Sequence, residues 1–189
     1  RTDVFGAIAP VNTSALIAKH GSNYSTVTVY GTTPAYYEVQ DLQLSMGRWL
    51  KSSDVDNNTN VCIINETAAT ELVGYEDCVG QTLIMNNTAY TVVGVLNNND
   101  DSLTSLLTSG AMAAYIPYTS LIRLSGMVSE EVTTFYISAP EGGSVEQAEE
   151  AIDGILMERF AEDEDAFRIS TSAMLEEAMD SITSVLSIL

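Results

Sequence analysis

Alternation of apolar and polar positions governs the first third of the chain. In Thr26-Val27-Thr28-Val29-Tyr30, valines alternate with threonines, the period-two pattern of a half-buried strand. Val4 to Val11, Ala15 to Ala18 and Ser25 to Tyr30 are β-branched or alternating, and they predict strands. Gly31 to Pro34 interrupts the pattern: glycine tolerates positive φ, and proline can open a helical turn but donates no backbone hydrogen bond. A short helix is expected at Ala35 to Val39. After it Leu42, Leu44 and Met46 alternate toward one face before Gly47 turns the chain.

The polar run from Lys51 to Asn60 predicts a loop and a subdomain boundary. A buried strand at Val61 to Ile64 follows, then a helix at Glu66 to Val73, with Asn65 as its N-cap and Gly74 just past its end. Thr82 to Met85 and Tyr90 to Leu96 read as a hairpin turning at Asn86-Asn87, since Asn accepts the left-handed conformation such turns need. Asn97 to Gly110 is polar and reads as a mobile loop. Ala113 to Ile116 predicts a strand and Pro117 to Leu124 a short helix. In the last third, Thr133 to Ser138 is a strand candidate. Ser144 and Gln147 form a capping box for a helix with Val145, Ala148, Ile152, Ile155, Leu156 and Phe160 on one face. A strand at Ala166 to Ser170 and a terminal helix from Met174 complete an α+β layer, two helices over a sheet.

Composition narrows the function classes. With 189 residues, 46% of them hydrophobic, the chain can bury one substantial core or two small ones. Twenty-six acidic residues against seven basic ones give a net charge of −19, which repels nucleic-acid phosphates and anionic lipid headgroups. No segment has the roughly 18 to 20 consecutive apolar residues that cross a bilayer. Both ends read as cut: Arg1 is not an initiator methionine, and the uncharged run 181–189 stops without a capping residue. That run fits a helix trimmed on its way into a membrane, and equally a helix packed on the domain's own core.

Candidate chemistry is sparse. Lys51-Ser52 lacks the preceding glycine of a phosphate-binding loop, no Gly-x-Ser-x-Gly turn is present, and His20 sits in a loop-like setting that exposes it. The acidic pairs Glu130/Glu131 and Glu149/Glu150 and the run Glu162 to Asp165 read as solvated surface rather than paired catalytic carboxylates. Asp54-x-Asp56-x-Asn58 starts like a calcium loop, but Thr59 stands where the sharp turn needs glycine and Asn65 where a bidentate Glu belongs. Asn-x-Ser/Thr triplets begin at Asn12, Asn23, Asn57, Asn65 and Asn86, as expected by chance in so Asn- and Thr-rich a chain. Cys62 and Cys78 flank a strand, a helix and a return loop, which is compatible with a disulfide and with two buried thiols. With the lone His20 far away they do not make zinc-ligand spacing. The residues themselves predict no catalytic, cofactor or metal site.

Several segments occur in a recognisable order: Gly31-Thr32-Thr33-Pro34-Ala35-Tyr36-Tyr37, Gly47-Arg48, Val61 to Val73, Val79-Gly80-Gln81-Thr82-Leu83, Val92-Val93-Gly94-Val95 and Ile116-Pro117-Tyr118. In this order and spacing they resemble the MacB-like extracytoplasmic core domain of ABC transporter permeases, within the FtsX- and LolC-type mechanotransmission superfamily. The resemblance covers nearly the whole chain. It implies a porter-like α/β subdomain from residues 1–54 plus 119–189, with a small mixed β-rich, Sabre-like subdomain inserted at 55–118. Gly31, Pro34, Gly47, Arg48, Gly80, Gly94 and Pro117 are then structural, with Arg48 at a hydrogen-bonded corner. Cys78, where the family commonly has proline or another residue, favours a local disulfide to Cys62. The resemblance further implies a non-enzymatic segment outside the plasma membrane that couples ATP hydrolysis to efflux or release of a substrate, the rival being capture of a peptide or antibiotic. Its implied partners are an ABC ATP-binding subunit or domain and a second permease copy, with a membrane-fusion adaptor left open. The two chain ends would lie at the same end of the molecule, where membrane helices join.

Overall fold

The computed structural model describes residues 5–98, 110–125, 134–140, 142–160 and 167–171. Contacts divide the chain into residues 7–137 and a second unit of 1–6 with 138–189.

In the first unit the strands are β1 (Ile8–His20), β2 (Asn23–Thr32), β3 (Leu44–Gly47), β4 (Val61–Asn65), β5 (Thr82–Met85), β6 (Thr88–Leu96), β7 (Ala113–Pro117) and β8 (Thr134–Ile137). They form one mixed sheet in the order β2-β7-β4-β6-β5-β1-β8, and β1 also pairs with β2, so six strands close into a ring. β3 adds to β6, and β8 adds antiparallel to the first residues of β1. Closure leaves the ring no free edge, the arrangement that best protects strand hydrogen bonds. The expected boundaries at Val55 and Tyr118 fall inside this unit, where β1 and β2 share ladders with β5 and β7.

The period-two pattern separates two cores. Cys62 and Ile64 of β4 and Ala114 and Ile116 of β7 join the cluster that holds Val27, Val29, Leu83, Met85, Tyr90 and Val92. The intervening Ile63 and Tyr115 face the other cluster, with Tyr36, Trp49 and Leu50. None of the eight strands among the described residues carries Asp or Glu, so the strong negative charge resides wholly outside them.

Helices close the layers. α1 (Ala35–Val39) follows Pro34 as expected, and α3 (Glu66–Ala68) is capped by Asn65, whose Oδ1 accepts from the Ala68 amide at 3.1 Å. α3 continues as a π turn at Ala69–Val73, closed by Gly74 N–H donating to Ala69 O at 3.0 Å, with Gly74 left-handed at φ 95°. α4 (Tyr118–Ser125) follows Pro117. The hairpin turn is as read, with Asn86 and Asn87 at φ 45° and 63°.

Four expectations change. β1 is one 13-residue strand, because its partner β2 pairs it continuously from Asn12 to His20. Gly31 lies inside β2 rather than breaking it, and ladder partners on both sides hold it extended. His20 ends β1, half-buried, with Nδ1 at 3.0 Å from Thr82 O, instead of sitting in a loop. The polar run after Lys51 contains a short helix, α2 (Ser52–Asp56), started by the Lys51 amide donating to Asp54 Oδ2 at 2.8 Å.

In the second unit Gly6 N–H donates to Ser138 O at 2.9 Å, and α5 (Val145–Arg159) is capped by Ser144, whose Oγ accepts from Gln147 N–H at 3.4 Å. Its expected apolar face is only partly buried: Ala148 is, while Val145, Ile155 and Phe160 are exposed. Residues 167–170 join no ladder, unlike the strand expected there. Most of the 97–110 loop, Glu130/Glu131, 162–165, the terminal helix and both chain ends lie outside the described residues.

Candidate functional site

The sheet register brings the scattered sequence segments together. Gly47, Gly94, Ile63, Tyr115, Tyr30 and Thr13 are successive partners across β3, β6, β4, β7, β2 and β1, a single row through the first unit. Gly31, Arg48 and Ile116-Pro117 stand next to that row along their strands.

At one end of the row two glycines interlock. Gly47 has φ +76°, and a Cβ on it would lie 2.7 Å from the Gly94 Cα. A Cβ on Gly94 would lie 3.1 Å from the carbonyl carbon of Arg48 and closer still to its oxygen. Backbone meets backbone here, and only glycine leaves the space. The Arg48 amide then donates to Val93 O at 2.8 Å, fixing the exit from β3.

Arg48 makes the corner. It donates through Nη1 to Asp54 Oδ2 at 2.7 Å and through Nη2 to Asp54 Oδ1 at 3.2 Å, a fork matched to a carboxylate. Nη1 also donates to Trp49 O at 2.9 Å. Asp54 further accepts from the Lys51 amide and, at 3.1 Å, from the Thr59 hydroxyl. Burial works to raise the Asp54 carboxyl, but the guanidinium, the amide and the hydroxyl outweigh it and hold it below the usual carboxylate range. The residue that resembled the start of a calcium loop thus spends its oxygens on the corner. α4 is tied to the same corner: Thr119 Oγ1 donates to Val55 O at 3.0 Å, Ser120 Oγ to Thr59 O at 3.2 Å and Arg123 Nη2 to Asn58 O at 2.8 Å.

Against this corner packs an aromatic cluster. Trp49 lies 5.4 Å from Tyr115 and 5.5 Å from Tyr37 between ring centroids, Tyr115 stacks on Tyr30 at 5.0 Å, and Tyr36 meets Tyr136 edge-on at 5.5 Å. Such pairs add to their area burial. Burial pushes the Tyr30 phenol up, and nearby Tyr136 adds to the shift. The sequence does not signal this cluster, because its members come from five separate segments: β2, α1, the turn after β3, β7 and β8.

The remaining motif residues serve the same packing. A Cβ on Gly31 would lie 2.6 Å from the Leu121 Cβ, so this glycine lets α4 seat on β2. Gly80, at φ +91°, donates to Val92 O at 2.7 Å and starts the return into β5. Pro34 begins α1 at φ −53°, and Pro117 ends β7 opposite Thr32. Cys62 and Cys78 are both buried and unbonded in this structure.

A different kind of site occurs in the second unit. Glu146, Glu149, Glu150 and Asp153 of α5, with Met157, Phe167 and Ile169, line a cleft of about 550 Å³. Glu146 accepts a short hydrogen bond from the Ser144 hydroxyl, which holds its carboxyl below the ordinary value. No cluster able to hold a metal ion exists among the described residues.

Comparison with known proteins agrees with the geometry. The model of the MacB-like periplasmic core domain matches residues 1–155. The macrolide export ATP-binding/permease protein MacB of Chlorobium luteolum is 25% identical over 196 residues, covering 98% of this chain and 28% of the relative. The chain thus spans less than a third of the length of the curated relatives it matches. Among solved structures, the periplasmic region of MacB from Actinobacillus actinomycetemcomitans shares the fold with a TM-score of 0.77 at 21% identity, over 94% of this chain and 77% of that one. The extracellular domain of the ABC-type transporter YknZ from Gram-positive bacteria follows at TM-score 0.67 and 17% identity, over 83% and 77%. The match of the family model over residues 1–155 and the shared mixed fold lead to one conclusion: the chain belongs to the MacB-like periplasmic core domain family, the extracytoplasmic part of MacB-like ABC transporter permeases.

Proposed function

We propose that this domain is a non-catalytic coupling element: ATP hydrolysis on a separate nucleotide-binding subunit or domain moves the permease's membrane helices, and the domain passes that motion to a substrate outside the membrane. The observation that carries the reading is the row from Gly47 to Thr13 with its Arg48–Asp54 corner. It commits the family-motif residues to rigid backbone packing, which is what transmission of a displacement demands. In this reading residues 1–54 and 119–189 make a porter-like part and residues 55–118 a Sabre-like insertion. The partners in this reading are the ABC ATP-binding component and a second permease copy, with an adaptor protein as a further candidate.

The test is made in the permease carrying this domain, reconstituted in vesicles. Arg48→Ala is expected to lower export several-fold while ATP hydrolysis persists, with Trp49 fluorescence verifying that the domain is folded. Export unchanged, or hydrolysis lost in equal measure, refutes coupling through the corner.

The acidic and apolar lining of the α5 cleft favours a second reading, capture of a cationic peptide or antibiotic. In that reading Glu149→Gln with Asp153→Asn weakens binding of a cationic amphipathic peptide to the chain, measured by calorimetry. Undiminished binding rejects it.

A further inference from the structure

Cys62 and Cys78 are sixteen positions apart in sequence, yet β6 draws them to one place. Cys62 pairs with Val92 across the β4–β6 ladder. On the opposite side of Val92, Gly80 N–H donates to its carbonyl at 2.7 Å, and its amide donates to Gln81 O at 2.8 Å. Gln81 N–H in turn donates to Cys78 O at 3.0 Å, folding Cys78 back over the start of β5. Both cysteines have no exposed surface and belong to the same core cluster as Val92. The enclosed segment holds α3, the π turn and left-handed Gly74, a compact loop with fixed ends.

We propose that Cys62 and Cys78 form a disulfide in the mature protein, made while the domain folds and then sealed in its core. The domain works outside the cytoplasm, where such bonds form and persist. The oxidant is a dithiol carrier in its disulfide form. The thiolate of one cysteine attacks a carrier sulfur, breaking the carrier's S–S bond and forming a mixed disulfide. The second thiolate then attacks the protein sulfur of that mixed bond. The carrier leaves as a dithiol with the electron pair, the Cys62–Cys78 bond remains, and the two thiol protons pass to solvent and carrier.

Timing follows from burial. The reacting species is the thiolate. In the folded chain burial pushes the Cys62 thiol far up, with the neighbouring Cys78 adding to the shift, and burial raises Cys78 too. A folded, reduced domain is therefore inert to disulfide carriers, and the window for oxidation precedes closure of the core. A bond closing a loop of about fifteen residues favours the folded state by on the order of 100-fold in the equilibrium constant.

The experiment uses the 189-residue chain, exported from the cytoplasm of an expression host and purified without reductant. It is then unfolded in denaturant with iodoacetamide and weighed by mass spectrometry. The expected product carries no adduct and is lighter than the reduced chain by two hydrogens; two adducts overturn the proposal. A second arm refolds reduced chain and adds oxidised glutathione. The expected result is no oxidation while folded and ready oxidation when the glutathione is present during refolding. Rapid oxidation of the folded form overturns the sealing, and failure to oxidise during refolding overturns the pairing. The oxidised form should also hold its folded state about 100-fold more firmly than the reduced one in urea titrations.

Discussion

Replacing Gly94 with alanine tests the glycine interlock at its narrowest point. In an ordinary strand this change stabilises by about 0.5–1 kcal/mol, because alanine loses less backbone entropy on folding. Here the new methyl would lie 3.1 Å from the Arg48 carbonyl carbon and 3.2 Å from the Arg48 nitrogen, with the Arg48 oxygen closer still. All three are backbone atoms, so no rotamer change relieves the contact. The Arg48 segment must shift by several tenths of an ångström, straining its 2.8 Å hydrogen bond to Val93 O and the fork to Asp54. Overpacking of this kind costs about 1–3 kcal/mol, which outweighs the entropic gain. Less the entropic gain, a net loss of about 0.5–2 kcal/mol remains, and at about 2–4 °C per kcal/mol for a chain of this size the melting temperature should fall by roughly 1–8 °C. Trp49, the sole tryptophan, is buried beside Arg48, and its fluorescence during urea or thermal unfolding reports the right region. Gly154 in α5 is the control: a Cβ there meets nothing within 4 Å, so Gly154→Ala should stabilise its helix by about 0.8–1 kcal/mol, read by far-UV circular dichroism. A Gly94→Ala protein with an unchanged or raised urea midpoint at constant slope would refute the interlock.

Two further outcomes follow from the same packing. Asp54 is held below its ordinary value in the folded state, so its contribution is fully present above the unfolded pKa of about 3.9 and is lost as pH falls through the folded value. Asp54→Asn should therefore cost about 1–3 kcal/mol at pH 7, the gap to wild type staying level down to about pH 5 and closing in stronger acid; a gap that fails to close in acid below the unfolded pKa of about 3.9 would contradict the ion pair. Gly31→Ala should destabilise by forcing back Leu121, whose Cβ lies 2.6 Å from the new methyl, and the effect should vanish or reverse when Leu121→Gly, which removes that Cβ, is already present. Additive effects in that double-mutant cycle, measured by urea unfolding, would show that α4 does not press on this glycine.

Local patterns were legible because their causes are local. Asn86-Asn87 makes the hairpin turn by backbone preference, and Asn65 caps α3 with its own side chain. The α2 helix was missed for an equally physical reason. Ser52-Ser53-Asp54 is polar turn chemistry until Asp54 accepts the Lys51 amide, and that geometry depends on Arg48 holding the carboxylate. Likewise the glycine in β2 looks like a strand breaker until β1 and β7 hydrogen-bond it from both sides.

The sequence by itself determined the strand alternation, the caps and turns, the strongly negative charge and the order of segments that marks the family. It also named Gly47, Arg48 and Gly94, but as separate signals without a shared purpose. Only the tertiary structure decided that they meet: register across β3, β6, β4, β7, β2 and β1 aligns residues from distant segments, and ring closure depends on pairings between strands far apart in sequence. Side-chain period sets which face a residue takes, whereas its partner on that face is set by long-range pairing, whose energy no local window of sequence contains.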